Sequence, residues 1–309
     1  MSFLQESKRT NKPIDMTTSE PAADYALGYT DAEQERLIRQ AAIIAPITER
    51  LFSEAGIGPG HRVLDLGSGL GDVSMLVARM VGPSGKVVGI ERDAASIQRA
   101  QVRVAAAGLR NVSFIQSDVS RIASDQLFNA AVGRLILQFL PDPVGVLRSV
   151  YRLVRPGGVL AFQEPSLTSL LSLGAGLPLW SRVHRLIHET FSRSGVNPEM
   201  GLTLHKIFQE VGLSAPVMHL EMSLGSNAEL VRWTSDLLYS LRPAAEQHKV
   251  SLKELGDLTT LPNRLSSEVT TAKAVVSVVP LVGAWSRKSN KKSSSGREPR
   301  HSRRSAILT

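Results

Sequence analysis

The sequence predicts an α/β fold built on a doubly wound parallel sheet, and three observations carry that expectation. Residues 61 to 72, His-Arg-Val-Leu-Asp-Leu-Gly-Ser-Gly-Leu-Gly-Asp, read as a short buried strand, a glycine-rich turn and the start of a helix. Apolar runs of strand length then alternate with stretches of helical periodicity as far as residue 163, the pattern of parallel strands joined by crossover helices. Acidic residues stand at the ends of several of these runs, where open α/β sheets bind their ligands.

The elements follow in order. Thr30-Asp31-Ala32-Glu33 fits a capping box, with Thr30 as N-cap and Glu33 reaching back, ahead of a helix whose apolar face is Leu37, Ile38, Ala41 and Ile44. Pro46 kinks or restarts that helix, and Gly56 to Gly60 end it. Arg62 to Leu66 is the first strand, and Val73, Leu76, Val77 and Met80 recur at helical spacing after the glycine turn. Lys86 to Ile90 and Val112 to Gln116 are the second and third strands, separated by a helix over Ala94 to Ala107 that Gly108 stops. Phe128 to Val132 is the fourth strand, Val144 to Val154 a helix closed by Pro156-Gly157-Gly158, and Val159 to Gln163 the fifth strand. Leu179 to Phe191, Thr203 to Val211 and Asn227 to Leu241 read as helices; Val217 to Met222 reads as a strand, and Val275 to Trp285 as one running antiparallel.

Composition narrows the function. A chain of 309 residues, 42% hydrophobic and 21% charged, has the balance of an ordinary globular protein. It has no cysteine, which removes disulfides, thiolate metal sites and cysteine nucleophiles. The net charge of +8 is concentrated at one end: eight of the basic residues and one acidic residue lie between Ser286 and Thr309. The basic character therefore belongs to a Ser/Arg/Lys tail, read as solvated, with nucleic-acid binding the less favoured alternative. Met1 to Glu20 is polar, without an apolar stretch of signal-peptide length, and no run of about 18 apolar residues occurs. The expectation is a cytoplasmic enzyme without a membrane span.

The strand end and turn resemble the first motif of class I S-adenosylmethionine-dependent methyltransferases, in which an acidic residue closes the strand and Gly-x-Gly-x-Gly follows. Here those positions are Asp65, Gly67, Gly69 and Gly71, with Ser68 inside the turn. A dinucleotide loop would carry its third small residue at position 72, which is Asp, and there is no obvious Tyr-x-x-x-Lys pair, so an NAD-linked oxidoreductase is the weaker alternative. A non-catalytic binding protein recruited through the basic tail is another.

The resemblance covers roughly Asp24 to Lys288. It implies a seven-stranded Rossmann-like sheet with an antiparallel edge strand and helical cap insertions. On that plan residues 1–20 are a disordered tail and 21–165 the core with its N-terminal cap helix. Residues 166–198 form a helical lid, 199–224 continue the core, 225–270 are a second helical insertion, 271–288 the final core strand and 289–309 the basic tail.

The resemblance also implies a cofactor, S-adenosylmethionine, and contacts for it. Glu91, followed by Arg92, stands 20 residues after Gly71, where a carboxylate accepts from ribose hydroxyls; otherwise it is a solvated acid before a helix capped by Asp93. Asp118 and Val119 would select adenine through its amino group and ring, with an exposed turn aspartate as the plain alternative. Arg134 pairs with the methionine carboxylate or is a surface arginine, with Gln138 a few residues on. Tyr25 and Tyr29 either line the methyl site, Tyr29 the better placed, or pack the first helix. The fourth strand departs from the family in carrying Phe128-Asn129 where an aromatic or apolar residue and Asp are usual, and the loop after it lacks Asn-Pro-Pro-Tyr, which opposes methylation of nucleobase amino groups. The missing cysteines oppose enzymes resembling the arsenite and RNA cytosine-5 types.

Candidates for a catalytic base are His184 and His188, four apart on one helix face, and Glu164 at the end of the fifth strand. The histidines read first as surface or cap-packing residues, then as a base or substrate contact and last as metal ligands, and Glu164 before Pro165 could equally be a turn residue. The Leu, Met, Trp180 and Trp233 content of the insertions points to a small apolar or aromatic acceptor.

Overall fold

The computed structural model describes Leu27, residues 30–174 and residues 176–290. The expected tail over residues 1–20, all but the first two residues of the tail over 289–309, Tyr25 and Tyr29 lie outside the described residues. Among the described residues no helix is long and apolar enough to cross a membrane.

Helix α1 (Asp31–Glu54) begins at Thr30, whose hydroxyl accepts from the Glu33 amide at 3.2 Å. Glu33 does not reach back to complete the box. Its carboxylate is buried and takes two hydrogen bonds from Arg36, at 2.6 and 2.7 Å. The helix runs without interruption through Pro46, because packing on both sides holds it where local propensity would break it.

The core alternates as its apolar pattern requires: β1 (Arg62–Leu66), α2 (Asp72–Val81), β2 (Lys86–Glu91), α3 (Ala94–Ala106), β3 (Val112–Gln116), β4 (Phe128–Arg134), α4 (Pro143–Leu153) and β5 (Val154–Pro165). Pro156-Gly157-Gly158 belongs to the start of β5 rather than to a helix stop, and the β4–β5 register shifts between Phe128 and Ala130. After β5 come α5 (Thr168–Leu173), α6 (Pro178–Arg193), α7 (Met200–Val211), β6 (Val217–Glu221), β7 (Leu224–Gly225), α8 (Ala228–Gln247), α9 (Leu261–Thr271), β8 (Val276–Ser277) and β9 (Leu281–Arg287). The stretch read as one strand over Val275 to Trp285 is therefore two. Pro280 separates them, and the first half pairs with β7 in a small second sheet.

The seven-stranded sheet has the order β3-β2-β1-β4-β5-β9-β6. Strands β1 to β5 are parallel; β9 is antiparallel to β5 and to β6, which closes that edge. Two apolar cores cover the faces: Phe162, Leu147 and Phe208 on the side of α4 and α7, and Val63, Val77 and Phe52 on the side of α1 and α2. A third core belongs to the cap, where Trp180, Leu186, Leu238, Leu265 and Val269 of α6, α8 and α9 pack together with Ile44 of α1. Helix α1 thus joins cap to sheet, the first half feeding one core and the second half another.

Phe162 is fully buried and meets Phe208 edge to face, ring centroids 6.4 Å apart and planes at 82°. Phe162→Ala is expected to cost about 3–5 kcal/mol, read as a lower urea midpoint at unchanged slope.

Candidate active site

Between β1 and α2 the chain turns through Gly67, Gly69 and Gly71, at φ of 62, 50 and 81°. The left-handed backbone disfavours a side chain at all three, but the surroundings of two of them differ. A Cβ on Gly67 would lie 2.5 Å from Cδ1 of Ile136, whereas one on Gly69 would meet nothing within 4 Å. The first glycine lets the next loop close over the turn, and the second leaves its backbone open to a ligand. The turn is held by the Ser68 amide donating to the Ile90 carbonyl and the Gly71 amide to the Ser68 carbonyl, at 2.9 and 2.8 Å.

Asp65, beneath this turn, is almost completely enclosed. Oδ2 accepts from the Ser74 hydroxyl at 2.6 Å, and Oδ1 has no partner. Burial pushes the carboxyl up to about 7, against the pull of the Ser74 hydroxyl and the Arg134 charge. Arg134, at the end of β4, donates through Nη1 to the Thr48 hydroxyl at 3.0 Å, which donates onward to Gln163 at 2.7 Å. The strand ends on the other side of the turn are fastened by carboxylates. Glu91 Oε2 accepts from the Gly69 amide at 2.9 Å, and Oε1 from the Arg92 and Asp93 amides at 2.8 and 2.9 Å. Asp118 caps a short 3-10 turn, Val119–Arg121, and its bonds from the hydroxyl and amide of Ser120 hold its carboxyl below the usual range. Val119 is buried beside it.

A cavity of about 150 Å³ opens against the glycine turn. Gly67, Ser68, Gly69 and Asp72 line it from the core, and Arg134, Leu135, Gln138 and Phe139 from the loop after β4. Helix α1 adds Arg36, Leu37, Gln40 and Ala41, and Trp233, Leu237, Phe191, Leu167 and Val279 are among the apolar residues of the wall. The structure thus brings Gly67, Ser68, Gly69, Arg134 and Gln138 together. Glu91, Arg92, Asp118 and Val119 stand apart from this lining, on the ends of β2 and β3, with Glu91 tied to it through Gly69.

The three candidate bases do not join them. His184 is buried in the cap, its Nδ1 3.0 Å from the Trp180 carbonyl and its ring 4.6 Å from that of Trp180. Burial pushes its pKa down to about 4, so it is a neutral packing residue. His188 is half-buried, its Nε2 3.7 Å from Glu199, and no cluster of three metal-ligating side chains exists among the described residues. Glu164 is fully buried and accepts from the backbone amides of Ile136, Leu137 and Gln138 at 3.0, 2.9 and 3.3 Å. Rather than facing an acceptor, it anchors the loop that carries Leu135, held at φ 56°, Gln138 and Phe139 onto the cavity. Sequence reasoning missed Arg36, Gln40 and Thr48. The available signal was weak: Glu33, Arg36 and Gln40 form a polar row at helical spacing next to the apolar face of α1.

A parallel sheet with one antiparallel strand, a glycine turn after β1 and acids closing β1, β2 and β3 define the class I S-adenosylmethionine-dependent methyltransferase fold. A methyltransferase-domain family profile matches residues 57–212, and the chain belongs to that family. It is 30% identical over 147 residues to an arsenite methyltransferase of Halobacterium salinarum, covering 47% of this chain and 37% of that protein. It is 35% identical over 123 residues to the ubiquinone/menaquinone biosynthesis C-methyltransferase UbiE of Pseudomonas paraeruginosa, covering 38% of this chain and 48% of the relative. The matches thus span half or less of these curated relatives. A putative methyltransferase from Bacillus halodurans shares the fold at a TM-score of 0.52 and 17% identity, over 78% of this chain and 97% of that one.

Asp65 and Glu164 both have folded pKa values raised to about 7, above their ordinary 3.8 and 4.5. Their contribution to stability is intact below about pH 4, where both are protonated folded or unfolded, and is lost as pH rises through 7. The melting temperature of the ligand-free chain is expected to fall between pH 5 and pH 8. Asp65→Asn, which removes one of the two titrations, should flatten that fall and raise the midpoint at pH 8.

Proposed function

We propose that this chain transfers a methyl group from S-adenosylmethionine to a small apolar or aromatic acceptor by in-line displacement. The observation that carries the reading is the buried, unpartnered Oδ1 of Asp65 beneath an open Gly69, with the Arg134 charge near enough to pull the Asp65 carboxyl down. These residues fit the zwitterionic end of the cofactor: Asp65 takes the ammonium and Arg134 the carboxylate. Glu91 takes the ribose hydroxyls, Asp118 and the Val119 amide the adenine, and Gln138 lies at the methyl end of the site. A cavity of about 150 Å³ is too small for a whole nucleoside and an acceptor, so the nucleoside lies along the ends of β2 and β3, outside it.

When bound, the cofactor supplies a sulfonium methyl with a good leaving group. The protein's part is alignment, worth up to about 7–11 kcal/mol without acid or base. Among the described residues the ionisable side chains on the cavity are Arg36, Asp72 and Arg134, and Asp72 is paired with Arg103 at 2.6 Å. The apolar wall of Trp233, Phe191, Leu167, Leu237 and Val279 supports an apolar or aromatic acceptor. Arsenic(III) is soft and takes thiolate ligands, and this chain has no cysteine to offer. The same Asp72–Arg103 pair occupies the place of a dinucleotide loop's third small residue, which weighs against the NAD-linked alternative.

Calorimetric titration with S-adenosylmethionine tests the reading. Wild type is expected to bind, Asp65→Ala and Glu91→Ala each to lose at least tenfold, and His188→Ala to stay within twofold. Absence of binding to the intact chain, or unchanged binding by both carboxylate variants, would overturn it.

A further inference from the structure

The α1 wall of the cavity carries a group of hydrogen-bond donors with no acceptor left among them. Arg36 is 3% exposed, yet its side chain lines the cavity. A guanidinium has five N–H donors. Nε and Nη2 each give one to Glu33, at 2.7 and 2.6 Å, and Nη1 gives one to Oε1 of Gln40 at 2.8 Å. One N–H remains on Nη1 and one on Nη2.

Gln40 completes the set. Its Oε1 also accepts from Trp233 Nε1, at 2.9 Å. Arg36 and Trp233 are donors only, so the oxygen of Gln40 must face both, and its NH₂ is what remains for the cavity. Arg36 is held by a buried ion pair, an arrangement whose desolvation generally offsets its attraction, so stability alone does not explain it. What it does provide is a cation fixed in orientation at the edge of an apolar chamber.

We infer that Arg36 and Gln40 form the polar subsite of the acceptor pocket, recognising a carbonyl or anionic oxygen carried by an aromatic ring. The ring lies among Trp233, Phe191 and Leu237, on the apolar side of the cavity. The inference rests on the proposed methyl transfer and narrows its acceptor to an oxygen-bearing arene. The donors stabilise negative charge on that oxygen and do the work of a base only by favouring the ionised or polarised acceptor.

The test uses the full chain saturated with S-adenosylhomocysteine and three probes of similar size: benzoate, acetophenone and toluene. Calorimetry on wild type is expected to show benzoate or acetophenone binding at least tenfold tighter than toluene. Because Arg36→Gln alone would strand Glu33, the variants are Glu33→Gln/Arg36→Gln and Gln40→Met, each checked by thermal melting. Both should bring the oxygenated probes to within threefold of toluene while leaving S-adenosylhomocysteine affinity unchanged. Equal binding of all three probes to wild type, no binding of any, or a preference that survives in folded variants would overturn the inference and leave the cofactor reading standing. Failure of S-adenosylhomocysteine itself to bind would overturn the cofactor reading and, with it, the inference.

Discussion

The rest of the site is organised around a carboxylate placed where water cannot reach it. Asp65 is the last residue but one of β1, in the middle of the sheet between β2 and β4, and is enclosed by the turn above it. A charge there costs several kcal/mol unless it is paired, and one hydroxyl from Ser74 is not a full partner. The position is therefore unfavourable for a charged carboxylate unless a second partner reaches Oδ1. On the proposed reading the cofactor's ammonium supplies that partner.

Everything near that carboxylate is then held rigidly by backbone amides. Glu91 fastens β2 to the Gly69 amide, and Glu164 fastens β5 to three consecutive amides of the loop after β4. Each clamp joins a strand end to a loop that would otherwise expose unpaired donors, and each fixes cavity-lining backbone from a rigid element. Leu135 holds a left-handed conformation, unusual for a branched side chain, because Glu164 and the Leu135 amide's own bond to the Gln163 carbonyl determine the loop on both sides. Alignment of this kind is what an in-line displacement requires.

The core was legible in the sequence because each of its elements carries its own signal. Arg62 to Leu66 and Val112 to Gln116 match the strands residue for residue, since both are short apolar or alternating runs with turn residues on either side. Errors arose where tertiary context overrides local preference: Pro46 inside α1, Pro156 to Gly158 drawn into β5, and Pro280 dividing β8 from β9. The glycine turn and the acids at strand ends were visible for the same reason, being fixed by position along one βαβ unit. The candidate bases were not, because burial, which a sequence does not display, decides between a ligand-facing and a packed histidine. His184 and His188 share a helix face at four-residue spacing, and only the packing of Trp180, Thr234 and Glu199 shows that neither opens on the cavity.

The division of labour along α1 explains why this wall of the cavity stayed hidden. Its second half, Leu51 and Phe52, packs on the sheet, so its place is set by the same core that sets the glycine turn. Its first half carries Ile44 into the cap and Arg36, Leu37, Gln40 and Ala41 onto the cavity, where their meaning depends on Trp233, almost 200 residues away in sequence. A polar row on a helix normally signals solvent. Here the cap helix α8 covers it, converting residues that look like a surface face into the inner wall of a chamber. On the proposed reading the cofactor contacts lie in contiguous motifs of the sheet, while the acceptor wall forms only where two distant helices close over one another.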